Sequence, residues 1–183
     1  MYPNHWVAPQ YLQVKPFLRV LILGSYNDAA IQKLEMLEDY LQTKGYAQTR
    51  IVKEFRFPPK NPLESQSAYN LRKSEYWVPK ADVLIFVFLP NVDNTGPAYE
   101  LKHLCDNHFD MAWRSIVGIS EPTPAISSLI YGLIDRWSGE IQQVFFSTDS
   151  KLHEGTRGAL TNLLERLYFS AINRQKSEWE NFG

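Results

Sequence analysis

The sequence predicts a three-layer α/β sandwich with a mainly parallel five-stranded sheet, and two observations carry that prediction. Strand-like apolar runs alternate with amphipathic helical segments along the chain, the pattern of an α/β layer protein. One of those runs, "ADVLIFVFLP" (81–90), is apolar at every position from Val83 to Leu89. A strand without polar alternation is covered on both faces, as in a parallel sheet flanked by helices.

Each element follows from local chemistry. "FLRVLILG" (17–24) reads as a buried strand stopped by glycine. In "DAAIQKLEMLEDYLQTKG", Ile31, Leu34, Leu37 and Leu41 share one helical face; Asn27 or Asp28 offers the N-cap and Gly45 the stop. "TRIVKEF" (49–55) mixes charge with apolar residues, as an edge strand does. The prolines of "RFPPKNPLESQ" (56–66) exclude regular structure, and a helix over 66–78 ends before Pro79. The central run leads through "NVDNTGPAYEL" (91–101) into a helix reaching Asn107. "SIVGIS" (115–120) predicts a strand, "AISSLIYGLIDRW" (125–137) a helix and "IQQVFFST" (141–148) the last strand. A final helix turns Leu160, Leu163, Leu164, Leu167 and Ala171 inward.

At 183 residues the chain fits a single domain, with an arm over 1–16, a core over 17–174 and a polar tail over 175–183. Apolar residues make up 44% and charged residues 21%, and the net charge of -1 with no basic block argues against nucleic acid as a partner. No apolar run is long enough to span a bilayer. The opening stretch lacks the basic start and apolar run of a signal peptide. With Cys105 as the single cysteine, these features set the expectation of a soluble cytoplasmic protein that makes no membrane contact.

The doubly wound order 2-1-3-4-5 of a flavodoxin-like or Rossmann-like sheet has a functional consequence. Ligands bind beyond the carboxyl ends of the strands, in the crevice between strands 1 and 3. "GSYND" (24–28) and "NVDNTGPAYE" (91–100) land there. If Thr95 or Gly96 caps the helix and Pro97 opens it, Glu100 lies in the first turn, where the dipole and unpaired amides favour an ionised carboxylate. Such a group in a cleft can attack a sugar C1 or stabilise an oxocarbenium-like transition state. Periodicity alone favours the plainer reading, a first-turn acid placed by the dipole.

Other side chains carry weaker signals. Ser25 and Tyr26 can contact a sugar or phosphate, although a strand-to-helix turn also explains them. Arg56, Lys60, Arg72 and Lys73 can neutralise a phosphate or form a solvated face. Tyr76 and Trp77 can stack on a base or belong to the core. His103 shares a helical face with Glu100. His103 and His108 have poor spacing for joint metal binding, so no metal and no cofactor are expected. The prolines of "SEPTP" (120–124) lie where a loop can close the pocket.

"LILGSYND", "KSEYWVPKADVLIFVF" and "DNTGPAYEL" resemble, in order and spacing, the nucleoside 2-deoxyribosyltransferase-like family. The resemblance covers roughly residues 17–108. It implies that Glu100, four positions beyond Gly96, is the nucleophile that displaces the base and carries the sugar. Ser25, Tyr26, Asn94 and Gly96 then surround the sugar or its phosphate, and Ser74 or Glu75 lies near the base. Three departures qualify the match. The family aspartate that handles the leaving base's proton, eight positions before Asp82, is Ser74 here, Asn94 stands where an aspartate is common, and Lys102 replaces the small residue that often follows "EL". A second resemblance, to TIR domains that cleave NAD with a glutamate, rests on "SYND" and the helix bearing "EL". Three functions remain open: a transferase or hydrolase acting on N-glycosidic bonds, an NAD-cleaving enzyme, or a noncatalytic nucleotide-binding module. The implied partner is a nucleoside, nucleotide or NAD. Family members often assemble as homo-oligomers in which a neighbour completes the pocket.

Overall fold

The apolar strands do form one all-parallel sheet. In the computed structural model, which describes residues 10–121 and 128–173, its order is 2-1-3-4-5. The strands are β1 (Val20–Gly24), β2 (Thr49–Ile51), β3 (Val83–Phe88), β4 (Ser115–Ser120) and β5 (Gln142–Phe146). The helices are α1 (Asp28–Thr43), α2 (Gln66–Trp77), α3 (Thr95–Asn107), α4 (Ser128–Arg136) and α5 (Asp149–Asn173). Among the described residues, no helix is long and apolar enough to cross a membrane.

Two apolar cores sandwich the sheet, and the two-residue period of β3 feeds both. Val83, Ile85 and Val87 join α1 and α5 on one face, while Leu84, Phe86 and Phe88 join α3 and α4 on the other. This explains why β3 carries no polar residue. α1 begins at the Asn27 cap, whose Oδ1 accepts from the Ala30 amide at 2.8 Å.

Several boundaries differ from the sequence reading. The first strand begins at Val20 because residues 10–17 wind into a 3-10 helix that buries Val14, so this part of the expected arm is core rather than periphery. The second strand ends at Ile51, where a 3-10 turn (Val52–Glu54) tucks both Val52 and Phe55 inward. The last helix, expected over 152–174, starts at Asp149 because Thr148 receives the Lys151 amide on its side chain. Residues 1–9, the tail from 174, and Pro122–Pro124 of the loop proposed to close the pocket lie outside the described residues.

Two glycines mark close approaches. A Cβ on Gly24 would stand 2.9 Å from Leu34 Cδ1, so the end of β1 can lie directly against α1. A Cβ on Gly155 would stand 2.5 Å from Val144 Cγ1, fixing how tightly α5 seats on β5. Gly155→Ala is expected to cost about 1–3 kcal/mol through overpacking, read as a lowered urea midpoint. An unchanged midpoint would show that the contact between α5 and β5 relaxes freely.

Candidate functional site

Beyond the carboxyl ends of β1 and β3 the chain paths part, since α1 packs on one face of the sheet and α3 on the other. Their parallel register sets Gly24 beside Val87, which brings the two following loops together. A cavity of about 630 Å³ opens there, lined by residues of the β1 loop, α2 and the start of α3. Ser25, Tyr26, Gly96 and Glu100, all singled out in the sequence, line it. Ser74 stands behind Glu100, only 2% exposed, with its Oγ donating to Glu100 Oε1.

Glu100 is 8% exposed, and its Oε2 has no hydrogen-bond partner among the described residues. Burial pushes its carboxyl up to about 7, while the Ser74 hydrogen bond acts in the opposite direction. This corrects the expectation of a dipole-stabilised anion. Asn94, not Thr95 or Gly96, is the N-cap position, so Glu100 lies in the second turn of α3. There it belongs to the buried stripe of Pro97, Leu101, Leu104 and Cys105, and desolvation outweighs the fading dipole. Ser74→Ala is expected to move the Glu100 midpoint further above 7, measurable as the pH dependence of its carboxyl carbon resonance. A midpoint that stays or falls would show that the hydroxyl does not hold the anion.

The Tyr26 hydroxyl is equally enclosed and lies near the Val52 backbone without hydrogen-bond geometry. Its phenol is pushed well above its ordinary value, first by burial and then by the nearby Glu100 carboxylate. The cavity thus has two adjacent buried oxygen groups, Glu100 Oε2 and Tyr26 Oη, with unmet hydrogen-bonding capacity. Buried polar atoms in that condition call for an explanation, and a bound ligand or a catalytic role is one that fits a cavity wall.

Two expected site residues lie elsewhere. Asn94 is buried, but its side chain closes its own loop: Nδ2 donates to the Leu89 carbonyl at 2.8 Å, and Oδ1 accepts from the Leu89 amide at 3.2 Å. Those bonds hold a turn containing Asn91 at φ 58, and they leave Asn94 off the cavity wall. Glu75 is off the cavity wall, its Oε1 3.9 Å from His103 Nδ1, so His103, which shares a helical face with Glu100 in the sequence, is turned toward α2 instead. Two of the four candidate phosphate ligands are engaged as well, while Arg56 and Lys60 are exposed and off the cavity wall. Arg72 donates to Glu64 at 3.0 and 2.8 Å, and Lys73 Nζ to the Lys53 carbonyl at 3.1 Å. Trp77 is fully buried and stacks on Phe55 at 4.4 Å, so it belongs to the core.

The sequence reading missed Asp93, Thr95, Asn70, Leu71 and Tyr99, which also line the cavity. Asp93 Oδ1 accepts from the Thr95 amide at 2.9 Å; the Thr95 hydroxyl first, and then this amide, hold its carboxylate below the usual range. It therefore supplies the cap that Asn94 does not. The signal for Asn70 and Leu71 was the helical spacing from Ser74, which sets this side of α2 against α3.

No described group of three or more His, Cys, Asp or Glu side chains could hold a metal ion. Comparison with known protein families, with characterised proteins and with solved structures returns no match.

Proposed function

We propose that the protein cleaves or transfers the N-glycosidic bond of a nucleoside-type substrate, with Glu100 as nucleophile, in the manner of the nucleoside 2-deoxyribosyltransferase-like family. One observation carries the reading: among the described residues a single carboxyl group is buried at the switch-point cavity, fixed through one oxygen by Ser74 and unpartnered at the other. A rotation about Cγ–Cδ presents Oε2 to the sugar C1. The C1–N bond breaks, its electron pair leaves with the base, and a glycosyl ester forms on Glu100. Water or an acceptor base then releases the sugar and restores the carboxylate. Tyr26 supplies a hydroxyl that holds the attacking carboxyl or a sugar oxygen.

The value of about 7 for Glu100 makes the carboxylate available at physiological pH while lessening the hydration that a solvent-exposed nucleophile must shed. Because the ionised form attacks, kcat/KM is expected to rise about tenfold per pH unit below 7 and to level off above it.

Chromatography for free base after incubation with nucleosides, 5′-nucleotides, their deoxy forms and NAD tests the assignment, with Glu100→Ala alongside. Base release that disappears in the variant is the expected result. Release that persists in the variant removes Glu100 as nucleophile. Ligand-dependent stabilisation with no release from any substrate favours a binding module instead.

A further inference from the structure

We propose that the cavity takes an N-glycoside of net positive charge, with a quaternised base and an unphosphorylated sugar. The proposal rests on the glycosidic reading above and follows from which groups the cavity contains. Among the described residues, its walls carry two carboxyl groups, Asp93 and Glu100, two tyrosines, Tyr26 and Tyr99, and no lysine, arginine or histidine.

The first argument is proton inventory. A neutral base leaves its sugar efficiently only when an acid protonates it. Glu100 is occupied as nucleophile. Asp93 is held ionised by the Thr95 hydroxyl and amide, and the buried Tyr26 phenol is a weaker acid than usual. The serine hydroxyl of Ser74 is already given to Glu100. Among the described residues, no lining side chain is poised to give a proton to the leaving nitrogen. A quaternised ring needs none. When its C1–N bond breaks, the electron pair neutralises the ring's own positive charge, and the carboxylate's negative charge is consumed in the ester. The cationic substrate and anionic glutamate become a neutral base and a neutral glycosyl ester. Water then yields the free sugar, the glutamate anion and one released proton.

The second argument is electrostatic. Of the first-turn amides of α3, that of Thr95 is already bonded to the Asp93 carboxylate, which stands between the helix terminus and any incoming anion. A phosphorylated sugar therefore meets a fixed negative charge at the cavity rim. A cationic ring is attracted by that charge and can lie over a tyrosine face; Tyr99 is 62% exposed and available for such a contact.

Two matched pairs test this on the full-length protein: 7-methylguanosine against guanosine, and nicotinamide riboside against nicotinamide mononucleotide. Released base is measured by chromatography and divided by the spontaneous rate of each compound. The cationic member of each pair is expected to show at least about a tenfold greater rate enhancement, smaller at high salt than at low. Asp93→Asn keeps the oxygen that accepts from Thr95, so the loop persists, and it should narrow the riboside-to-mononucleotide ratio. Equal enhancement within either pair, or a ratio unmoved by Asp93→Asn, overturns the charge rule while leaving the glycosidic reading intact. Absence of base release from all four compounds and from neutral nucleosides overturns the glycosidic reading and this proposal with it.

Discussion

Glu100→Gln is expected to make the protein more stable at pH 8 and inactive at every pH. In the unfolded chain this carboxyl ionises near its ordinary value of 4.5, and in the folded protein near 7. The folded state favours the protonated form. The stability contributed by Glu100 is thus whole below about 4.5 and is lost as pH rises through about 7. At pH 8 the charged side chain costs about 3 kcal/mol, the equivalent of the interval between those two values. Glutamine fills the same volume without the charge and can still bond Ser74, so it recovers most of that loss. At pH 4 the gain should vanish. Burial, then the neighbouring Glu54, also pushes Glu38 upward, so the wild type will lose stability with rising pH for a second reason. Only the difference between variant and wild type isolates Glu100. Urea unfolding at pH 4 and pH 8 reads it, and an equal difference at both would show that the carboxyl is not desolvated as the structure indicates. Base release in the variant should fall at least about a thousandfold, because the amide cannot form the ester. A residue that costs stability and whose removal costs activity is one retained for chemistry.

The parts legible in the sequence are those fixed by periodicity. The apolar run of β3 announced a strand covered on both faces, and its place between alternating strands and helices gave the sheet order. The same logic reaches part of the site. Pro97, Glu100, Leu101, Leu104 and Cys105 fall on one helical stripe, so a carboxylate inside an apolar face was readable as buried. The dipole argument concealed this because it depends on which residue caps α3. That choice is made by loop bonds no pattern encodes: Asn94 turns back to Leu89, and Asp93 takes the Thr95 amide. The preference for Glu75 as well as Ser74 near the base had a similar origin, since adjacent residues on α2 differ by about 100° in direction and only the packing of α2 against α3 selects between them. Ser74 faces inward and Glu75 meets His103. The cavity's charge was not legible at all. It requires knowing that Arg72 and Lys73 point to Glu64 and Lys53 rather than across α2.

The largest gain of function should come from Ser74→Asp. Serine at this position touches Glu100 Oε1 but cannot supply a proton at neutral pH. An aspartate there sets two buried carboxyl groups against one another, and they cannot both ionise. The pair then holds a single proton around pH 7: one member attacks C1 and the other can protonate the departing base. Those are the two roles a neutral nucleoside requires, and a positioned general acid contributes roughly 10²–10⁴-fold. Release of base from neutral nucleosides such as guanosine is therefore expected to rise by at least about a hundredfold in the variant. Release from 7-methylguanosine should hold or fall, because its leaving group has no use for the proton and the nucleophile now shares its charge. The position is 2% exposed, so the added carboxyl lowers stability; a melting curve for the variant establishes that the folded protein is being assayed. A variant that folds and leaves the ratio of neutral to cationic substrates unchanged would mean that the wild-type cavity already protonates its leaving group. The argument from Ser74 to a cationic substrate would then fail at its first step, while Glu100 would keep its role.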